Sequence, residues 1–337
     1  MYAQIYHGDA IFTELSAEWD ALAQRGMTDT PFQTLAYQQA WWQNLHPLDS
    51  ELHSIITRDG DGRLTAIACF YITDQGDVKF NGCVEETDYL DLIAEARHAE
   101  EAWSAIFSCL ESDEYPPWRQ LELCNIPAIS PSRTVLPRLA EDLNLLVVES
   151  VNEVCPIIQL PGNFEAYLQN LGSKQRREIQ RKLRRARGAE ANLQIVGPDA
   201  DLAEAVDDFL ELLGRSSYEK LEWLHEDRRS LFHTVAAAAK KAGTLQLMFI
   251  EIRGRKAAGL FNFDYGDRIW VYNSGLDPNA YGNLSLGVVL TAQAIQWAIE
   301  NGRSEFDFLR GSETYKYRFG AQDSTIYRLQ ISPAQRR

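Results

Sequence analysis

Residues 259–320 read GLFNFDYGDRIWVYNSGLDPNAYGNLSLGVVLTAQAIQWAIENGRSEFDFLRGSETYKYRFG. Two runs, 259–265 and 268–274, alternate apolar and polar residues with the period of strands. Beyond Pro278 and the irregular 279–283, the residues Leu286, Val289, Leu290, Gln293, Ala294, Trp297 and Ala298 recur at helical spacing. Asn301-Gly302 supplies the left-handed stop, and Ser285 is the expected side-chain N-cap. A short apolar strand, 305–309, then ends in Arg310-Gly311. Strand, irregular turn and helix N-terminus in succession aim free N–H groups and the positive end of a helix dipole at whatever lies in front of the turn. A phosphate or pyrophosphate is the natural ligand there. Every α/β crossover builds such a terminus, so the turn alone does not make a site.

The residues around this unit make the pattern specific. The run FDFLRGSETYKYRFG has Asp307, Phe308, Gly311, Tyr315 and Lys316 at the spacing Asp-Phe-x-x-Gly-x-x-x-Tyr-Lys. Together with the preceding strands, loop and helix, it resembles the acyltransferase domain of the GNAT superfamily, in the branch of cellulose-biosynthesis accessory proteins and Fem-type aminoacyl transferases. The resemblance implies CoA binding at the turn before the helix. Many members carry Arg/Gln-x-x-Gly-x-Gly/Ala there, whereas this chain has Tyr281-Gly-Asn-Leu-Ser-Leu-Gly287. Asn273, Ser274, Asn283, Ser285, Leu286 and Gly287 are the candidate donor-binding residues on the strand end, turn and helix start.

A second segment carries charge. The chain has net charge −15, which repels nucleic acid and anionic membrane over most of its surface. Eight of the fourteen residues 174–187 are Lys or Arg and one, Glu178, is acidic, so this segment is +7 and the remainder −22. Such segregation points to a local anionic partner. On a helix expected to run from Phe164 through this stretch, Tyr167, Leu168, Leu171, Ile179, Leu183 and Ala186 form a thin apolar stripe, and Lys174, Arg177, Arg181 and Arg184 share the other side. A solvated helix face would also look basic, but would intersperse acids. The resembled branch has a Lys-x-Arg-x-x-x-Arg segment here, matched by Lys174, Arg177 or Arg176, and Arg181. CoA phosphates, an RNA acceptor stem or a polyanionic acceptor each suit it.

At 337 residues the chain is comfortable for two domains, and no apolar run reaches transmembrane length. The N-terminus lacks the basic start and apolar middle of a signal peptide, and the five scattered cysteines, Cys69, Cys83, Cys109, Cys124 and Cys155, form no Cys-x-x-Cys pair. Reduced core thiols and a cytoplasmic location are expected. The first half reads as a strand at 2–6, helices at 15–24 and 35–44, and strands at 52–57 and 64–71 joined by the Asp59-Gly-Asp-Gly62 turn. A helix at 95–110, a strand at 120–125 and a helix at 131–142 complete it. Phe32-Gln33, Trp41-Trp42 and Tyr89-x-Asp91 resemble features of the same branch, either packing a core or lining an acceptor pocket. A boundary near 150–161 gives a first domain, 1–150, on the acceptor side and a second, 151–337, with the donor site. The expected fold is mixed α/β, a tandem of two GNAT-like domains.

Acyl transfer from a thioester to an amine needs positioning, removal of a proton and oxyanion stabilisation. In a GNAT-like sheet the strand 269–274 splays from the strand 305–309, and backbone N–H groups in the gap face the thioester. Asp307, Glu313 and Tyr272 are candidate bases, and Tyr315 or Tyr281 a candidate acid for the leaving thiolate. Lys316 is a candidate for neutralising phosphate or oxyanion charge. Each has a structural alternative: a turn cap for Asp307, packing for Tyr315, a pair with Glu313 for Lys316. Six histidines without ligand spacing exclude a recognisable metal site, and no Gly-x-Ser-x-Gly or Gly-Lys-Ser motif is present. The resemblance thus implies N-acyltransfer from acyl-CoA or acetyl-CoA to an amine, with an acyl carrier protein as an alternative donor. Aminoacyl transfer from tRNA and a catalytically silent binding role are the competing readings.

Overall fold

The computed structural model describes residues 1–83 and 86–334; the last three positions of the half drawn at 151–337 lie outside them. The chain divides into two compact units. One is Met1–Glu153 with the returning segment from Ser324, and the other is Val154–Asp323. Among the described residues, no helix is long and apolar enough to cross a membrane.

The first unit contains β1 (Tyr2–His7), α1 (Ala10–Glu14), α2 (Trp19–Ala23), α3 (Leu35–Leu45), β2 (Ser50–Arg58), β3 (Leu64–Ala68), β4 (Phe70–Thr73), β5 (Asp77–Phe80), β6 (Ile93–Ala94), α4 (Ala99–Leu110), β7 (Gln120–Pro127), α5 (Ser132–Asp142) and the start of β8 (Leu145–Gln159). β2 is antiparallel to β1, β3 and β4, β4 is antiparallel to β5, and β5 runs parallel to β7. The single helix expected at 15–24 is replaced by α1 and α2. Ser16 turns its hydroxyl onto the Thr13 carbonyl at 2.7 Å, the local bonding with which serine competes against helix continuation.

The residues expected either to pack or to line an acceptor pocket are core. Phe32, Gln33, Tyr89, Asp91, Trp41 and Trp42 are all buried. Gln33 Nε2 donates to the Asp91 carbonyl at 2.6 Å, and the Asp91 carboxylate accepts from the Thr28 and Ser132 hydroxyls at 2.8 and 2.7 Å. Burial raises the Asp91 carboxyl above its ordinary range, and these hydroxyls pull it back. A disulfide joins Cys83 to Cys124, with Cα atoms 5.7 Å apart, and Cys69, Cys109 and Cys155 are free. This departs from the five reduced thiols implied by the sequence. The two partners are 41 positions apart, and only the fold brings them together.

The second unit takes the end of β8, then α6 (Phe164–Asn170), α7 (Ser173–Gly188), β9 (Asn192–Ile195), α8 (Leu202–Ser216), α9 (Tyr218–Trp223), α10 (Glu226–Ala242), β10 (Leu245–Ile252), β11 (Arg255–Tyr265), β12 (Arg268–Leu276), α11 (Leu286–Glu300), β13 (Glu305–Asp307) and α12 (Thr314–Arg318). β9 to β12 lie side by side in antiparallel pairs, β13 joins β12 in parallel, and β8 pairs antiparallel with β13. The last strand, β14 (Gln322–Pro333), went unread in the sequence; from Ser324 on it belongs to the first unit, where it pairs antiparallel with β7. The expected continuous helix through the basic stretch is broken into α6 and α7. Leu171 is extended, and Gly172 precedes the new helix as its N-cap.

The strands β10 and β11 are buried almost throughout, as expected of strands covered on both faces. α11 packs its apolar residues on one side, with Val289, Ala292, Ile295 and Ala298 fully buried among Met248, Ile250 and Leu260. Phe209 of α8 and Phe232 of α10 meet Phe261 on the other side at 5.7 and 5.5 Å between rings. α8 approaches β12 so closely that a Cβ on Gly275 would sit 2.5 Å from the Leu213 backbone nitrogen. Glycine is required there by contact.

Candidate active site

The parallel pairing of β12 and β13 runs from Arg268/Glu305 to Trp270/Asp307. β13 ends at Asp307 whereas β12 continues to Leu276, so the pairing of the two strands stops after Trp270/Asp307. A bulge at Phe261/Asn262 shifts the register of β11 on β12 just beside this point.

Two adjoining cavities open at the parted strands. The inner one, of about 210 Å³, is lined by Gly259, Leu260, Val271, Ser274, Gly287 and Phe308 among others, and is mainly apolar. The outer one, of about 660 Å³, is lined by Lys174, Arg177, Arg181, Lys182 and Arg318, with Gln175, Glu178 and Ile179. Val288, Tyr315 and Phe319 line both, so a basic chamber leads into an apolar one.

α7 carries the basic wall because Ile179 and Ala186 are buried on its inner side while Lys174, Arg177, Arg181 and Arg184 are exposed on the other. Glu178 is the counter-charge. It pairs with Arg181 at 2.8 Å and Lys182 at 3.3 Å, and these two cations hold its carboxyl down at about 2.

The turn before α11 is built from unusual backbone. Tyr281 and Ser285 both adopt left-handed conformations, with φ of 52° and 55°, and bracket the short helical turn Gly282–Leu284. Ser285 therefore occupies the N-cap position without acting as a side-chain cap. It is the Ser285 carbonyl that receives the Val288 and Val289 N–H groups. The N–H groups of Leu286 and Gly287 lead the helix, where no carbonyl of an earlier turn is in line to receive them. Leu286 buries its side chain in the core and Asn283 is exposed outside both cavities, so of this turn only Gly287 lines a cavity.

The residues at the end of β13 form a latch. Asp307 is 1% exposed, and its Oδ1 accepts the Leu309 N–H at 2.7 Å. Leu309 and Gly311 have φ of 56° and 108°, which turns three successive carbonyls toward one point. Lys316 Nζ fills that point, donating to Leu309, Arg310 and Gly311 carbonyls at 3.1, 2.6 and 3.0 Å and approaching Glu313 Oε2 at 2.9 Å. Four acceptors for three hydrogens leave no donor for a substrate, so neutralisation of phosphate or oxyanion charge by Lys316 gives way to its structural alternative. A Cβ on Gly311 would meet Glu313 Oε2 at 2.5 Å, so that glycine also belongs to the latch.

The remaining candidates are placed as follows. Tyr315, held by the latch, faces both cavities, and burial followed by the field of Glu313 raises its phenol above the ordinary value. Glu313 is itself committed to Lys316. Tyr272 packs on Phe232, Phe261 and Phe263 at 5.2–5.7 Å and does not line either of these two cavities. Asn273 Oδ1 accepts the Ser274 N–H at 2.9 Å, and the Ser274 carbonyl accepts from Lys220 Nζ at 2.6 Å. The backbone expected to face a thioester is thus engaged by side chains at Ser274. Val288, Thr291, Phe319, Arg318 and Lys220 were not legible as site residues. Arg318 alone had a signal, lying three positions after Tyr315 on one turn of helix.

Comparison with known proteins agrees with this geometry. Residues 173–317 match the model of the acetyltransferase (GNAT) domain. No curated protein matches the chain in sequence. The crystal structure of FemX superposes with a TM-score of 0.67 at 11% identity, over 97% of this chain and 96% of that one. The structure of L-PGS from Bacillus licheniformis does so at 0.59 and 10% identity, over 95% and 92%. A tandem GNAT protein from the clavulanic acid biosynthesis pathway gives 0.50 at 11% identity, over 99% and 100%. At these identities the structural likenesses show the fold, a mixed α/β architecture of two GNAT-like domains. The family match is confined to residues 173–317, and that segment carries the likeness to an acetyltransferase (GNAT) domain.

Proposed function

We propose that the second unit transfers an acyl group from an acyl-CoA thioester to an amine by direct attack. The observation that carries this reading is the junction of a basic chamber with an apolar one through Val288, Tyr315 and Phe319. An acyl-CoA has the same polarity along its length: phosphates at one end, and a thin, largely apolar arm ending in the thioester at the other. Lys174, Arg177, Arg181 and Arg318 take the phosphates, and the leading N–H groups of α11 add a dipole of the right sign. The pantetheine arm and thioester enter the chamber between β12 and α11, where Tyr315 stands as the acid for the departing thiolate. A proton already held tightly is a poor donor at first, but the thiolate that forms beside it is a strong acceptor.

Calorimetric titration with CoA tests the reading. Neutralising Arg177, Arg181 and Arg318 together should weaken binding roughly 100-fold, by removing three charge-assisted contacts to the phosphates. It should also flatten the dependence of affinity on salt. Unchanged affinity and salt slope would return α7 to a solvated face.

A second reading, aminoacyl-tRNA as donor, is favoured by Arg184, Arg185 and Arg187. They continue the exposed basic face of α7 beyond the cavity lining. Bulk tRNA binding that competes with CoA and falls steeply with salt would select it.

A further inference from the structure

Lys220 lies in α9, whose Tyr218 and Leu221 are exposed while the lysine itself is half-buried. The Ser217 hydroxyl accepts its backbone N–H at 3.2 Å and sets the helix start. Its Nζ donates to the Ser274 carbonyl at 2.6 Å and reaches Asn273 Oδ1 at 3.4 Å. Both partners are neutral oxygens, and among the described residues no carboxylate pairs with this amine. A neutral amine has two N–H groups and a lone pair; two oxygens satisfy the hydrogens and leave the lone pair available. An ammonium would keep a third hydrogen without a partner in a half-buried place. Burial lowers the Lys220 pKa, and the field of Glu313 opposes that shift.

Ser274 is at once the acceptor for Lys220 and part of the wall of the inner chamber. This puts a lysine amine with no carboxylate partner among the described residues one residue away from the space assigned above to the thioester. We infer that Lys220 is an internal acyl acceptor, so that an acyl-CoA bound in the chamber acylates the protein at this position. The inference rests on the proposed donor site. In the step, the Nζ lone pair attacks the thioester carbonyl carbon, the N–C bond forms and the C–S bond breaks. The proton lost by nitrogen passes to the sulfur, giving N-acyl-lysine and free CoA thiol. The product amide has no charge and no nucleophilic lone pair, so each molecule reacts once at this position.

The test is incubation of the full chain with acetyl-CoA, with intact mass and peptide mapping over time. The expected result is one dominant acetyl adduct, located at Lys220 and lost in Lys220→Arg. Its rate should rise with pH and level off below about pH 10.4, where an exposed lysine would. Adducts spread evenly over surface lysines, or retained in Lys220→Arg, would overturn the inference. So would absence of any adduct when acetyl-CoA raises the melting temperature of the wild-type chain. If acetyl-CoA gives no thermal shift in the wild type, the donor site itself is refuted and this inference falls with it.

Discussion

Replacing Lys316 by Met distinguishes a chemical role from a structural one. The wild-type side chain is 3% exposed, and its three hydrogens meet three backbone carbonyls that the left-handed Leu309 and Gly311 have turned inward. Methionine keeps the length and apolar stem but removes every donor, so up to three buried carbonyls lose their partner. Each such loss costs roughly 1–3 kcal/mol, and some water entry relieves part of it. A total of about 3–5 kcal/mol is expected, the range for breaking one side of a buried charged contact. For a unit of this size that is a fall in Tm of roughly 6–20 °C, at about 2–4 °C per kcal/mol. The assay is calorimetric unfolding alongside urea titration, with CoA binding measured at a temperature where the variant is folded. A variant that unfolds within about 1 kcal/mol of the wild type but has lost its acyl transfer would refute the latch and assign the ammonium to the substrate.

Two further outcomes follow from particular contacts. Glu178→Gln frees Arg181 and Lys182 and should tighten CoA binding about two- to fivefold, the small effect of a solvent-screened surface pair; carbon NMR of the wild-type Glu178 carboxyl should show a midpoint near 2. Because that carboxyl is depressed in the folded state, its pairing is complete above the ordinary value of 4.5 and is lost as pH falls toward 2, and a midpoint above 4 would contradict it. Gly275→Ala puts a methyl 2.5 Å from backbone in α8, which cannot move as a flexible side chain would. A loss of about 3 kcal/mol or more is expected in urea unfolding, and a variant as stable as the wild type would show that α8 and β12 are not in that contact.

What the sequence determined about this protein is local and periodic. Alternation at 259–265 and 268–274, helical spacing from Leu286 to Ala298 and the charge run at 174–187 each express a period or a composition carried by neighbouring residues. They were enough to read β11, β12, α11 and the basic helix and, through the Asp307 to Lys316 spacing, the GNAT resemblance. Gly172 and the extended Leu171 broke a helix that periodicity alone would have continued, because backbone conformation at one residue leaves no trace in a hydrophobic pattern.

Tertiary structure decided which of the legible residues face a ligand. Lys316 and Asp307 have the residue types of chemistry, yet convergence of the Leu309, Arg310 and Gly311 carbonyls and the Leu309 N–H engages them in a turn. Tyr272 was drawn into an aromatic cluster by neighbours on β11 and by Phe232 of α10, which is 40 positions away. Lys220 was silent in the sequence, being one lysine between Glu219 and Glu222 on a short helix. It became conspicuous only when β12 arrived 53 and 54 positions later with two neutral oxygens and no carboxylate. The sequence could state which groups are present and with what spacing along the chain. Which of them remain unpaired beside an opening depends on the distances between groups remote in the chain, and folding alone sets those.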